Sequence, residues 1–214
     1  MKNNFALIVD TGLSNLHSIQ AACSNCRINF KVSSSPSDLK ASGAIILPGV
    51  GSFAKAVKNL KELKIFDLLR EEILKEKPTL GICLGMQLLL NESEEFGLTE
   101  GLSVIPGKVK KFDLNKINYS KIPHIGWNSI INPKNSWRDT ILESVNNLDK
   151  MYFIHSYFVK LKDQNQILSE TQYGNFKFCS SLRYKNIYAT QFHPEKSGTN
   201  GLKILKEFKK IFKL

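Results

Sequence analysis

One cysteine, Cys83, lies in a sequence context that can turn a thiol into a nucleophile. It is the centre of Gly81-Ile-Cys-Leu-Gly85, where an apolar run gives way to a helix-forming stretch. A tight turn between strand and helix strains the central residue, so its neighbours must be small, as Gly81 and Gly85 are. The helix start favours the thiolate, and the amide of Leu84 points where an oxyanion would form. The pentapeptide alone also fits a buried structural cysteine at a strand end.

A thiol nucleophile needs a general base, and His193 is the best placed of the four histidines for that role. It stands in Gln191-Phe-His-Pro-Glu195, directly after a predicted strand. Pro194 sets the chain direction, and a carboxylate at Glu195 can hold the imidazole in one tautomer and orientation. A single histidine at a strand end is usually structural. Together with a cysteine elbow, however, it predicts a catalytic triad of Cys83, His193 and Glu195.

A glycine-rich loop, Pro48-Gly-Val-Gly-Ser-Phe53, follows another predicted strand. Two glycines around one residue let a backbone peptide turn its N–H toward a site, or flip away from it. Beside a cysteine nucleophile this predicts a second oxyanion donor at Val50, between Gly49 and Gly51. The loop also fits a simple connection between a strand and a helix.

The elements that must position these residues alternate between strand and helix in the first half of the chain. Buried strands are predicted over 5–9, 28–32, 44–47 and 79–83. Helices are predicted over about 15–26, over 53–76 with a break near residue 64, and from residue 84 through 90. Continuous apolar strands that alternate with helices predict an α/β fold with a mostly parallel central sheet flanked by helices.

The second half is richer in strands, which predicts an additional antiparallel region. Strands are predicted over 104–112, 151–159, 167–173, 176–184 and 187–192, and a helix over 198–212. That helix should pack one apolar face on the core, formed by Leu202, Leu205, Phe208 and Phe212. The stretches 113–121 and 132–149 are predicted as loops and short helices. No repeat or linker divides the chain, so residues 1–214 are predicted to form one domain.

The composition is that of a globular protein with a basic surface. Of the 214 residues, 42% are apolar and 23% charged, and the formal net charge is +11. No apolar run approaches the roughly 20 residues of a membrane span, and no signal-peptide cleavage site follows the first apolar run. We therefore expect a cytoplasmic protein that binds no membrane. Lysines far outnumber the four arginines, which favours an acidic or phosphorylated partner over nucleic acid.

The other cysteines are Cys23, Cys26 and Cys179. Free thiols are expected in a cytoplasmic protein. Cys23 and Cys26 have C-x-x-C spacing, but no second cysteine or histidine pair stands at zinc-ligand spacing. Two buried residues on one helix face are therefore predicted, and neither a metal nor a cofactor is expected.

Together the three motifs resemble those of class I, triad-type glutamine amidotransferases. Pro48-Gly-Val-Gly51, Gly81-Ile-Cys-Leu-Gly-Met-Gln87 and Gln191-Phe-His-Pro-Glu-Lys-Ser197 match in order and spacing, and the resemblance covers essentially the whole chain. It implies a flavodoxin-like fold in which Cys83 forms a glutamyl thioester, His193 is the acid and base, and Glu195 orients it. It also implies that glutamine is bound by a further set of residues: Gly49, Gly51, Gln87, Ser156 and Tyr157.

A second set of motifs resembles the glutaminase subunits of imidazole glycerol phosphate synthase, an enzyme of histidine biosynthesis. These are Thr99-Glu-Gly-Leu102, Pro106-Gly-Lys-Val109, Pro123-His-Ile-Gly-Trp-Asn128, Tyr152-Phe-Ile-His-Ser-Tyr157 and Lys196. The resemblance implies a heterodimer with a (β/α)8-barrel synthase subunit, which takes up the ammonia and forms imidazole glycerol phosphate and AICAR. It also implies a partner interface at Asn15, Trp127 and Lys196.

The first loop departs from the pattern of those subunits. It reads Asp10-Thr-Gly-Leu-Ser-Asn15, where the family has Asp-Tyr-Gly-x-Gly-Asn, so the docking face could differ. This leaves open an alternative role, a paralogous glutaminase that supplies ammonia for the amidation of a cell-surface sugar.

Two hypotheses from other classes are weaker. A cysteine peptidase or a stress-response hydrolase also uses a cysteine elbow and a histidine, but neither requires Pro48-Gly-Val-Gly51 and His193-Pro-Glu195 together. A catalytically dead scaffold would be expected to have lost one of the three triad residues, and all three are present.

Overall fold

The computed structural model of the chain describes residues 5–12, 15–117, 121–134 and 136–214. In the first half, strands and helices alternate as β1 (Ala6–Val9), α1 (Leu16–Asn25), β2 (Phe30–Ser33), α2 (Pro36–Ala41), β3 (Ala44–Gly49), α3 (Phe53–Glu62), α4 (Phe66–Leu74), β4 (Thr79–Cys83) and α5 (Leu84–Leu88). The second half contains β5 (Leu90–Ser93), β6 (Thr99–Glu100), β7 (Ile105–Lys111), β8 (His124–Ser129), β9 (Lys150–His155), β10 (Tyr157–Leu161), β11 (Ile167–Tyr173), β12 (Phe176–Tyr184), β13 (Ile187–Thr190) and α6 (Gly198–Phe212). Short 3-10 turns lie at Gln164–Gln166 and Pro194–Lys196.

A seven-stranded sheet in the order β11-β12-β13-β4-β3-β1-β2 forms the centre of the molecule. The strands β13, β4, β3, β1 and β2 pair in parallel, whereas β11 and β12 add an antiparallel edge. The prediction of a mostly parallel sheet with an additional antiparallel region is therefore confirmed. Two smaller sheets complete the strands, one in the order β10-β7-β5-β6 and one formed by the pair β8 and β9.

Apolar side chains cover both faces of the central sheet. Along β1, Ala6 and Ile8 join one core cluster with α1 and α6, while Leu7 and Val9 join a second cluster with α2 to α5. This alternation follows the two-residue period of a strand, and it explains why the parallel strands are apolar at every position. No helix in the described part of the chain has the length and apolarity to cross a membrane.

Predictions about the last helix and the paired cysteines are confirmed. Leu205 and Phe208 are buried, and Leu202 and Phe212 pack against the same core. Cys23 and Cys26 are buried free thiols, as is Cys179.

Several predicted boundaries are wrong. The helix after residue 83 ends at Leu88, and a strand begins at Leu90. The sequence did not reveal this change, because the apolar run Leu88–Leu90 would be buried in either conformation. The predicted strand over 151–159 is two strands of different sheets, separated at Ser156. Elements α2, β6 and β8 were not predicted. The described residues of 113–121 and 132–149 form loops and turns as predicted, but no short helix.

The backbones of α5 and β3 touch at Gly85. A Cβ atom added there would lie 1.7 Å from the carbonyl oxygen of Leu47. Gly81, four residues earlier on β4, is less crowded, since an added Cβ would meet the backbone of Gly85 at 3.1 Å. Only glycine at position 85 therefore lets the helix begin directly beside the neighbouring strand.

Replacing Gly85 by alanine is expected to destabilise the fold by more than about 3 kcal/mol, because either β3 or α5 must move. The matched control is Gly198→Ala, where an added Cβ meets no atom within 4 Å and φ is +59°; it should cost about 1 kcal/mol. Urea unfolding of both variants measures the difference. Equal unfolding midpoints would contradict the close approach at Gly85.

Candidate active site

Cys83 is the last residue of β4 and stands immediately before α5. Its backbone has φ +54° and ψ −108°, a conformation that a residue with a side chain adopts only under strain. The side chain is buried. Its Sγ lies 3.8 Å from the carbonyl oxygen of Ile154, and the Nε2 of Gln191 lies 3.6 Å from Sγ. The sequence-predicted elbow is therefore present as a strained turn that presents one thiol.

His193 and Glu195 follow β13 in a short turn that the backbone holds firmly. The amide of His193 donates to the carbonyl of Tyr152 at 2.9 Å, and the hydroxyl of Ser197 donates to the carbonyl of His193 at 2.6 Å. Within this turn the Nδ1 of His193 is 2.7 Å from the Oε1 of Glu195. The two side chains are only 2% and 5% exposed, so their interaction is shielded from water.

The electrostatics of His193 depend on Cys83. Burial alone would lower the pKa of the imidazole, but the charge of Cys83, its contact with the ring, and the hydrogen bond with Glu195 outweigh burial and raise the pKa to about 10. The buried Nε2 has no full hydrogen bond within the described residues. This nitrogen is therefore available to exchange a proton with the thiol or with a bound group, while Nδ1 is held by Glu195.

The residues predicted to form the oxyanion hole, Val50 and Leu84, lie beside Cys83. Gly49 ends β3 and pairs with Cys83 across the sheet, and an added Cβ on Gly49 would meet the Cβ of Leu84 at 3.0 Å. The loop then turns at Gly51, which has φ +95°, with Val50 36% exposed between the two glycines. Val50, Gly51 and Leu84 therefore line the same cavity as the thiol of Cys83.

A cavity of about 310 Å³ opens at Cys83. It is lined by most of the residues predicted to bind substrate and by several others: Val50, Gly51, Cys83, Leu84, Gln87, Glu95, Pro123, Ile154, His155, Ser156, Tyr157 and Lys196. A larger cavity of about 510 Å³ lies between β7, β10 and β12, and none of the predicted site residues lines it. Chemistry rather than size therefore identifies the candidate site. Across the described residues, no group of three or more His, Cys, Asp or Glu could hold a metal ion.

Among the site residues that were not predicted from the sequence, Gln191 and Glu95 make polar contacts close to the predicted ones. Gln191 is fully buried and lies between Cys83 and Gln87, whose Nε2 donates to Gln191 Oε1 at 3.1 Å. Glu95 lines the cavity, and its carboxylate accepts the amide of Phe53, the first residue of α3, at 2.5 Å. A glutamine inside the triad motif was a signal for the first. The second follows no motif, because a fold-dependent contact brings it to the site.

The predicted partner residues lie on elements around the His193 turn. Trp127 is 55% exposed on β8 and packs edge-on against Tyr152, with ring centroids 6.1 Å apart. Lys196 is exposed at the cavity, and the side chain of Asn15 caps α1 by accepting from the amide of Ser18 at 3.4 Å.

The unusual first loop is only partly described. The carboxylate of Asp10 accepts the amide of Gly12 at 2.8 Å, and Asn59 donates to the carbonyl of Thr11 at 2.7 Å. Ser14, the second departure from the family pattern, lies outside the described residues, as does Leu13.

Two further histidines, His124 and His155, form a buried pair beside the cavity. His124 Nδ1 lies 3.1 Å from His155 Nε2, and His155 Nδ1 lies 2.7 Å from the carbonyl oxygen of Tyr157. Burial lowers the pKa of His124 to about 4. Burial also lowers the pKa of His155, to about 3. The hydrogen bond to Tyr157 opposes this shift, and the charges of His124 and His193 add to it. Both rings are therefore neutral at pH 7, in contrast to His193.

Comparison with known sequences gives a consistent assignment. Residues 7–211 match the family described as "Glutamine amidotransferase class-I". The chain is 45% identical over 208 residues to "Imidazole glycerol phosphate synthase subunit HisH 1" of Campylobacter jejuni subsp. jejuni serotype O:23/36 (strain 81-176), covering 95% of this chain and 98% of the relative. It is 41% identical over 207 residues to "Imidazole glycerol phosphate synthase subunit HisH" of Aquifex aeolicus (strain VF5), covering 95% of each chain.

Comparison with solved structures gives the same fold. A structure titled "Crystal structure of glutamine amidotransferase" superposes with a TM-score of 0.73 at 17% identity, covering 97% of this chain and 99% of that one. PurLQS from Thermotoga maritima superposes with a TM-score of 0.70 at 18% identity, covering 98% and 99%. At such low identity these likenesses show the fold alone.

The two neutral histidines predict that the protein loses stability as the pH falls below about 6.5. Their pKa values are lower in the folded than in the unfolded chain, so the unfolded chain binds protons first and is stabilised by them. Each histidine should cost about 2 kcal/mol between pH 6.5 and pH 5. Denaturant unfolding at several pH values measures this slope.

The pH dependence has a direct control. The double variant His124→Phe and His155→Phe should flatten the slope, whereas His17→Gln, at an exposed position of α1, should leave it unchanged. Equal stability of the wild-type protein at pH 7 and pH 5 would contradict the assignment of two buried neutral rings.

Proposed function

Because this chain belongs to the class I glutamine amidotransferase family, we propose that it hydrolyses glutamine as the glutaminase subunit of an imidazole glycerol phosphate synthase in histidine biosynthesis. The observation that carries the chemistry is the Cys83 thiol at the wall of an amino-acid-sized cavity, in contact with His193, which is buried behind it and paired with Glu195. The observation that carries the pathway is the 41–45% identity to subunits of that synthase over nearly the whole chain.

The reaction begins at the thiol. The Cys83 thiolate attacks the side-chain amide carbon of glutamine, and the oxyanion accepts hydrogen bonds from the amide of Leu84 and from the loop at Val50. His193, protonated at Nε2, gives that proton to the departing nitrogen, and ammonia leaves behind a glutamyl thioester. Water then attacks the thioester while His193 takes up a proton, and glutamate is released. Glu195 keeps the imidazole oriented through Nδ1 throughout.

The cavity offers groups that suit the rest of a glutamine molecule. Glu95 places a carboxylate among the lining residues, which suits the α-ammonium group of an amino acid. Gln87, Ser156 and Tyr157 line the same cavity and supply polar groups for the remaining atoms. The raised pKa of His193 keeps a proton on the imidazole, which is the form that can donate to the departing nitrogen.

Ammonia released here would be lost as ammonium in bulk water, so the acceptor enzyme must cover the cavity. Exposed apolar side chains on the β8–β9 ribbon, those of Ile125, Trp127 and Ile154, support a docking surface beside the mouth, together with Lys196 and Asn15. We propose that a (β/α)8-barrel synthase subunit docks there, forms a heterodimer and converts the ammonia into imidazole glycerol phosphate and AICAR. The relatives are named as subunits of that synthase, which favours this acceptor over a cell-surface sugar.

Replacing Cys83 by alanine should abolish glutamine-dependent synthesis by the complex, with turnover reduced by several orders of magnitude. Synthesis driven by added ammonium salt should persist, because only the source of ammonia is lost. The matched control is Cys179→Ala, which removes a buried thiol outside the cavity and should retain activity. Coupled assays with glutamine and with ammonium measure both reactions. Glutaminase activity in the Cys83→Ala protein would refute the mechanism.

The isolated chain should be a slow glutaminase, because the second oxyanion donor must come from a loop that can present either a carbonyl or an N–H. Val50 favours extended backbone, while Gly49 and Gly51 tolerate both peptide orientations. Losing one such donor typically costs about 100- to 1000-fold in turnover. We expect stimulation of that order when the partner is bound and loaded with its substrate, mainly in kcat.

The docking surface provides the control for this stimulation. Trp127→Ala should reduce stimulation by weakening the complex, and should leave the slow turnover of the isolated chain unchanged, because Trp127 does not line the cavity. Glutamate formation, measured with and without the loaded partner, tests both statements. Equal turnover by the free chain and the loaded complex would exclude the switch.

A further inference from the structure

The buried pair His124 and His155 lies in a chain of hydrogen bonds that ends at the cavity. His155 bonds to the carbonyl of Tyr157, two residues on, while His124 links His155 to Asn128 at the far end of β8. Asn128 in turn donates to the carbonyl of Gln172 on β11 at 2.9 Å. The chain therefore joins the β8–β9 ribbon, the central sheet and the cavity wall.

The groups at the two ends of this hydrogen-bond chain determine which atom donates and which accepts in every hydrogen bond between them. The Tyr157 carbonyl can only accept, so His155 carries its proton on Nδ1 and accepts at Nε2. His124 must then donate from Nδ1 and accept at Nε2, where the amide nitrogen of Asn128 lies 3.3 Å away. That amide is oriented independently, because its nitrogen faces the Gln172 carbonyl and its oxygen accepts from the amide of Ser129.

Aromatic rings surround most of the buried pair. His124 stacks on Tyr173 and Phe153, with ring centroids 4.1 and 4.9 Å apart, and His155 lies 5.1 Å from Phe178 and 5.2 Å from Phe112. Both rings are neutral, as the chain requires, because each must offer one donor and one acceptor. In such surroundings a hydrogen bond is strong, and a missing partner is costly.

The hydrogen-bond chain ends at a corner of the backbone, which it holds in place. At Ser156 the polypeptide leaves β9 of the two-stranded ribbon and enters β10 of the four-stranded sheet. The Ser156 carbonyl of this corner is held by a backbone hydrogen bond next to the β7–β10 pairing, in which the amide of Phe112 is the donor. The Tyr157 carbonyl instead accepts from His155 and from the Nε2 of Gln87 at 3.2 Å.

We propose that His124 and His155 are positioning residues that hold the Ser156–Tyr157 corner and, through the Tyr157 carbonyl, the Gln87 side chain in the arrangement that binds glutamine. The inference rests on the proposed function, because it assigns these residues to the glutamine subsite. Neither ring acts as a second base. Their effect is on the affinity for glutamine rather than on the bond-breaking step at Cys83.

The test compares variants that keep or remove the bond to Tyr157. In His155→Phe the ring volume is kept and the bond is lost, so KM for glutamine should rise about tenfold while kcat changes less than about threefold. In His155→Asn the side-chain amide can still donate to Tyr157, so KM should return to within about threefold of the wild type. His124→Phe leaves His155 bonded to Tyr157 but without its second partner, and should raise KM by about threefold.

Two controls separate positioning from general damage. Phe178→Leu disturbs the same aromatic surroundings without touching a hydrogen bond and should leave KM within twofold of the wild type. Alkylation of Cys83 by iodoacetamide, followed by mass spectrometry, should proceed at the wild-type rate in every variant. If His155→Phe does not fold, the increase in KM for His124→Phe carries the test.

The outcomes are distinct for the two proposals. A wild-type complex with no glutaminase activity would overturn the proposed function. An active wild type would instead overturn the positioning role under any of three results: KM within twofold in His155→Phe and His124→Phe, loss confined to kcat, or an equal KM increase in Phe178→Leu. A tenfold KM increase in His155→Phe with rescue by His155→Asn would establish it.

Discussion

The close approach of two backbones at Gly85 is the constraint on which the site depends. Because α5 begins directly against β3, the chain must reverse within one residue, which forces Cys83 into positive φ. The same approach brings the end of β3, with its glycine loop, beside the thiol and the first amide of the helix. Nucleophile and oxyanion donors are thus assembled by sheet packing, before any contact with a substrate.

Three buried histidines in this region have different roles because their neighbours differ. His193 faces a thiol and a carboxylate, which hold a proton on it, whereas burial without an opposite charge nearby keeps His124 and His155 neutral. Sequence reasoning could select His193, because its carboxylate lies two residues away in the chain. The pairing of His124 with His155 depends on the register of β8 and β9 and could not be predicted.

Features that depend on residues close together in the sequence could be predicted, and features that depend on contacts between distant residues could not. The elbow, the parallel sheet and the core face of α6 follow from short patterns, and the resemblance to class I glutamine amidotransferases is confirmed by the family match. The break at Ser156 was missed because alternating apolar residues continue through it, and only the sheet assignments on either side reveal it. Glu95 was missed because a contact with α3, 42 residues away in sequence, brings it to the cavity.

The positive φ at Cys83 also bears on how such a protein can change over time. A side chain in this conformation costs on the order of 1–3 kcal/mol, a cost that glycine would avoid. Chance substitution toward greater folding stability would therefore tend to remove the reactive thiol, and the resulting protein would be sturdier and inert. A cysteine kept at a strained position is what selection for chemistry, rather than for stability, would leave behind.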